Sequence, residues 1–116
     1  MFITKFSYEL NVSPSSNLQI DVLFAMFTLR ATLFLLPNIT WPVTPDDPLN
    51  ITHDEYNLFD ENAHQVWAYT GDDGWVVVGY LDKHSAAKIV GKTILSKQAI
   101  TQGNAYEVPL KIEYED

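Results

Sequence analysis

The chain has no cysteine among its 116 residues. That excludes a disulfide scaffold, a thiol nucleophile and any cysteine-ligated metal or iron–sulfur centre. Basic residues are scarce as well: seven Lys and Arg stand against fifteen Asp and Glu, a formal net charge of −8. Phosphate backbones and anionic lipid surfaces are met with Lys and Arg, so direct binding to nucleic acid or to a membrane surface is not expected. The five glycines form neither GxGxxG nor GxxxxGK[ST], so no phosphate cradle is expected. His53, His64 and His84 fall in no metal-binding spacing, and no serine sits in a G-x-S-x-G elbow. No catalytic set, metal site or cofactor is expected. The longest apolar run, 22–36, spans 15 residues and contains Arg30. As a helix it would cover roughly 22 Å, short of a hydrocarbon core of about 30 Å. The opening residues lack the basic stretch and apolar run of a secretion signal, so a cytoplasmic protein is expected.

What remains is 47% hydrophobic residues, enough to bury a core, in a length that suits one domain over 1–116. Residues 2–12 alternate, with Phe2, Phe6, Tyr8, Leu10 and Val12 on one face, which predicts a half-buried strand. Ser13-Pro14-Ser15-Ser16 breaks it and supplies helix caps. Val22, Met26, Leu29, Leu33 and Leu36 then fall on one helical stripe, which predicts a first helix running to Leu36 and ended by Pro37. That helix would be apolar on most sides and would need covering by the following segment or by a second chain.

Residues 37–63 hold four of the six prolines and read as an irregular insertion, either a functional loop or a cover for helix 1. Trp41, Leu49, Tyr56, Leu58 and Phe59 offer side chains to pack over helix 1, and Thr52-His53-Asp54-Glu55 resembles a capping box for a short helix near 53–60. Residues 64–70 and 75–81 read as two strands around the turn Gly71-Asp72-Asp73-Gly74. Asp82 or Ser85 can cap a second helix over 83–99, with Gly103 as its stop. Residues 105–115 alternate again, and Pro109 marks this strand as an edge or its N–H side as unpaired. The order β-α-β-β-α-β predicts an α+β, ferredoxin-like (split βαβ) sandwich. Its four-stranded antiparallel sheet would carry two helices on one face and a long acidic, proline-rich insertion between helix 1 and strand 2. Helix 1 and the open sheet face would each permit a homo-oligomer.

The charge is uneven. No Lys or Arg occurs between Arg30 and Lys83. Eight of the fifteen acids lie in 37–73 as four adjacent pairs: Asp46-Asp47, Asp54-Glu55, Asp60-Glu61 and Asp72-Asp73. The rest of the chain is neutral, seven acids against seven bases. A segment without countercharge can steer a basic partner. Trp41, Tyr56, Phe59, Trp67 and Trp75 lie between or beside the acidic pairs, and aromatic anchors in a charged rim are typical of binding hot spots. The expected site is therefore these eight acids with Trp41 and Tyr56 as anchors. The expected function is that of a small, non-catalytic binding protein inhibiting a basic or nucleic-acid-binding partner. Nuclease inhibitors, toxin-immunity proteins and phage anti-defence proteins are of this kind, some by mimicking DNA phosphates. Two alternatives compete: a homo-oligomeric ferredoxin-like enzyme using His53, Asp54, Glu55 and His64, or a phage assembly protein.

Overall fold

A computed structural model describes residues 2–6 and 24–116. Its elements are strands β1 (Phe2–Phe6), β2 (Phe24–Leu35), β3 (Leu49–His53), β4 (His64–Thr70) and β5 (Gly74–Leu81), helix α1 (Lys83–Ile89), and strands β6 (Thr93–Ala99) and β7 (Glu107–Glu115). All strand pairs are antiparallel. Six strands run in the order β3-β4-β5-β2-β7-β6, and β1 pairs with the first half of β2. The six curl into a nearly closed barrel whose end strands, β3 and β6, approach each other. Gln98 Nε2 beside that gap donates to the Pro45 carbonyl at 3.0 Å.

This overturns the ferredoxin-like expectation: the sheet is larger than four strands, and the described residues hold one short helix. The first helix is the largest correction. Over 24–35 the chain is strand β2, and the expected start of that helix lies outside the described residues. Phe27, Leu29, Ala31, Leu33 and Leu35 belong to the core, while Thr28, Arg30, Thr32 and Phe34 face outward or half-outward. Period two therefore fits β2 as well as the helical stripe did, and strand partners decide: β7 lines one edge from Met26 to Phe34, and β1 and β5 share the other. The strand expected over 2–12 is described only as β1.

The second helix is cut short. Asp82 caps α1 as expected, its side chain accepting from the Ser85 N–H. Gly91, at φ +72°, then turns the chain out of the helix, a conformation that β-carbon-bearing residues resist. Thr93–Ala99 continues as β6. The capping-box segment is likewise no helix: His53 ends β3, and turns follow. The hairpin β4–β5 stands where its turn signal places it, and strand β7 where alternation does. β7 is not an edge, since β2 and β6 flank it. Pro109 is accommodated because its carbonyl accepts from Ile100 just beyond the end of β6, where its missing N–H interrupts no ladder.

The barrel interior is filled by Leu33, Val66, Val78, Val108, Leu110 and Ile112, all fully buried, with Ile51 of β3, Ala99 of β6, Val43 from the loop before β3 and Ile89 from α1. Register shifts at Val66/Trp67 and at Ile94/Ser96 are β-bulges, which bend strands and help a sheet curl. No helix among the described residues is long and apolar enough to cross a membrane.

Candidate functional site

The β3–β4 hairpin decides where the acids go. Leu49 pairs with Ala68 and His53 with His64. The loop before β3 therefore lies at the same end as the β4–β5 turn, and the loop 54–63 lies at the other. The eight predicted acids are split accordingly. Asp46, Asp47, Asp72 and Asp73 belong to one end, and Asp54, Glu55, Asp60 and Glu61 to the other. Four residue steps along a strand separate them by about 14 Å. That exceeds the screening length of about 8 Å at physiological salt, so the two groups act as separate sites rather than as one patch.

Within the loop pairs the members divide the work. Asp47 Oδ2 accepts from the Thr44 N–H at 2.6 Å, Asp54 Oδ2 from Asn57 Nδ2 at 3.3 Å, and Asp60 Oδ1 from the Asn62 N–H at 3.0 Å. Their neighbours Asp46, Glu55 and Glu61 are exposed, as are Asp72 and Asp73. The two ion pairs among the described residues, Lys92–Asp116 and Lys111–Glu113, involve none of the eight.

The loop 54–63 is well braced. Asn57 Oδ1 accepts from the N–H groups of both Phe59 and Asp60 at 2.9 Å, and Asp54 N–H donates to the Ala63 carbonyl at 2.8 Å. At its base the rings of His53 and His64 stack with centroids 4.8 Å apart. His53 Nε2–H donates to the Glu61 carbonyl and His64 Nδ1–H to the Asn62 carbonyl, each at 2.7 Å. The histidines offered to an enzyme reading thus meet in space, but as supports of the loop.

On this frame Tyr56, Leu58 and Phe59 are 89%, 94% and 95% exposed. The expectation that they pack over helix 1 fails, since the loop carries them into solvent. Tyr56 was legible as an anchor. Phe59 was legible only as one of the aromatics between the acidic pairs, and Leu58 was missed because an apolar residue beside a predicted apolar helix reads as its cover.

At the other end Trp41, Asp47, Tyr69, Thr70, Asp72 and Asp73 line an open cleft of about 250 Å³. Four of these were predicted. Tyr69 was missed, although its register with Trp75 beside the turn was a usable signal. Two other clefts, lined by Thr32, Gln102, Gly103, Asn104, Glu107 and Pro109 and by Thr28, Arg30, Ile100 and Lys111, contain no predicted residue. No three of His, Asp and Glu among the described residues come together as a metal site.

The histidine stack makes the loop base sensitive to acid. Burial pushes the His64 pKa below its ordinary 6.5, helped by the neighbouring His53, while its bond to Asn62 and the charge of Asp60 pull the other way. A lowered folded pKa means that the unfolded chain takes up the proton first. The His64 contribution to stability is complete above pH 6.5 and is lost as the pH falls from there to the folded value. Unfolding free energy should therefore drop below pH 6.5 by up to about 1.4 kcal/mol per pH unit for this one proton. In His64→Asn, which keeps a donor near the Nδ1 position, that part of the slope should vanish. Urea titrations from pH 7 to 5 check this, and parallel slopes for the two proteins would refute it.

No known family, curated protein or solved structure matches this chain.

Proposed function

We propose that the protein is a small, acidic, non-catalytic binding protein that inhibits a basic or nucleic-acid-binding protein in the cytoplasm. A nuclease, toxin or defence protein is the kind of partner intended. One observation carries the reading: a hydrogen-bonded loop holds Tyr56, Leu58 and Phe59 almost fully in solvent between the pairs Asp54-Glu55 and Asp60-Glu61. Burying such side chains is worth about 1.5–3 kcal/mol each, and this fold forgoes that gain. Three neighbouring apolar side chains amount to a few hundred Å², the size of patch on a monomer that is often functional. Aromatic anchors with a charged rim suit an apolar pocket edged by Lys and Arg. A second copy of the chain is a poor occupant, because both surfaces bring negative charge.

The docking element is thus one loop rather than all eight acids, and mimicry of a phosphate run along the whole acidic segment is not required. The test is retention of partners from a host-cell extract at about 50 mM and about 500 mM salt. Wild type is compared with a Tyr56→Ser/Leu58→Ser/Phe59→Ser variant and a Glu55→Lys/Glu61→Lys variant. A truncated hot-spot residue costs about 2 kcal/mol or more, so the apolar variant should lose at least about thirtyfold in affinity for a basic protein held by wild type. The charge variant should lose most of its salt dependence. Equal retention by all three would overturn the reading.

A further inference from the structure

The cleft at the opposite end of β3 and β4 offers different chemistry and stands independently of the loop. Trp41 comes from the segment before β3, Tyr69 and Thr70 from the end of β4, and Asp72 and Asp73 from the turn. Both aromatic rings are partly open to solvent. Tyr69 is held by an edge-on contact with Trp75, centroids 5.6 Å apart. Asp47 has one oxygen committed to Thr44, while Asp72 and Asp73 form no ion pair among the described residues. The carboxylates are therefore uncompensated, yet they do not converge with other ligands on a metal-sized point. Carboxylates spread around aromatic faces suit a larger, weakly hydrated cation, which the ring quadrupole attracts within about 6 Å. At about 250 Å³ the cleft falls below the roughly 300–1,000 Å³ of sites for drug-sized ligands, so it fits one headgroup or one side chain.

We propose that this cleft binds an organic ammonium group, either a free quaternary amine or the side-chain ammonium of a lysine, methylated or not, on a partner protein. Trp41 and Tyr69 would face the cation, and Asp72 and Asp73 would neutralise it. The test follows the indole N–H resonances of Trp41, Trp67 and Trp75 by NMR on the intact chain. The probes are choline, its neutral isostere 3,3-dimethylbutanol, and the blocked amides of lysine and trimethyl-lysine. Choline or a lysine amide should shift the Trp41 resonance saturably, with a Kd on the order of 1–10 mM, and the neutral isostere should bind at least about tenfold more weakly. Trp41→Leu and Asp72→Asn/Asp73→Asn should each weaken binding by about tenfold or more, whereas Trp41→Phe keeps an aromatic face and should retain most of it; in the two Trp41 variants binding is read from the Trp75 indole, whose ring contacts Tyr69, and from the backbone amides of Tyr69 and Thr70. Tighter binding of choline supports a small-molecule source, and tighter binding of a lysine amide supports a protein source. The proposal is overturned if the neutral isostere matches the cations, if no cation gives a saturable shift, or if the Asp72→Asn/Asp73→Asn variant binds like wild type. None of these results depends on residues 54–63.

Discussion

Gly79→Ala is expected to destabilise the protein by more than about 3 kcal/mol, lowering its melting temperature by roughly 10 °C or more. Gly79 is buried in β5, opposite Leu35 on one side and Val66 on the other. A β-carbon there would run into the Phe34 carbonyl oxygen and would also lie 2.9 Å from Leu33 Cδ1. The oxygen is backbone and cannot swing aside, so the strands themselves must separate. They have little to spare, since only Leu33, Phe34 and Leu35 of β2 pair with β5. That short seam joins β3-β4-β5 to β2-β7-β6, and Leu36 N–H extends it by donating to the Val78 carbonyl at 2.9 Å. Gly71→Ala is the control. It has no positive φ and nothing within 4 Å of its would-be β-carbon, so it should change stability by no more than about 0.5 kcal/mol. Thermal and urea unfolding of the two variants check the seam. A Gly79→Ala protein as stable as the control would mean that β2 and β5 do not meet there.

The second large effect is expected at Asp82, which joins the helix to the barrel. Between the stretches of β2 paired with β1 and with β5, Thr32 has no strand partner on that edge. Asp82 takes the partner's place: Thr32 N–H donates to Asp82 Oδ1 and Asp82 N–H donates to the Thr32 carbonyl, both at 2.9 Å. The other carboxylate oxygen caps α1 through Ser85 N–H at 3.0 Å. Asp82→Ala removes a helix cap, worth about 1 kcal/mol, and leaves a partly buried N–H without its acceptor, a further 1–3 kcal/mol or so. A total loss of about 2–4 kcal/mol is expected, with Asp82→Asn intermediate. Burial works against the Asp82 charge, but the N–H groups of Thr32 and Ser85 outweigh it and hold the carboxyl below its ordinary 3.8. A lowered folded pKa contributes stability above the unfolded value, and that contribution is lost as the pH falls through the folded one. The gap between wild type and Asp82→Ala should be widest at neutral pH and should narrow as the pH falls below about 4. A gap independent of pH would contradict this role.

The sequence carried these features unequally. The β4–β5 hairpin was readable from its Gly-Asp-Asp-Gly turn, and β7 from its alternation. β2 was not, since its apolar residues satisfy a helical stripe and a strand face at once. The signal that separates them is Thr28, Arg30 and Thr32, polar at every second position and all on the outer side of the barrel. β6 was hidden by extending a helix through Gly91, whose positive φ ends it. The acids were countable, but their division between two ends follows from the β3–β4 register, and β3 was read as part of an insertion. The exposure of Leu58 and Phe59 depends on the side chain of Asn57, whose two backbone contacts no hydropathy pattern reports.

Docking through loop 54–63 requires that this loop be a rigid element presenting Tyr56, Leu58 and Phe59 before any partner arrives. Backbone ¹⁵N relaxation of the free protein tests this most directly. If Asn57, Asp54 and the histidine stack hold the loop as described, its order parameters should be about 0.8 or higher, close to those of β3 and β4. Values below about 0.6 across 55–60 would mark a flexible segment, and the preformed docking loop would have to be abandoned.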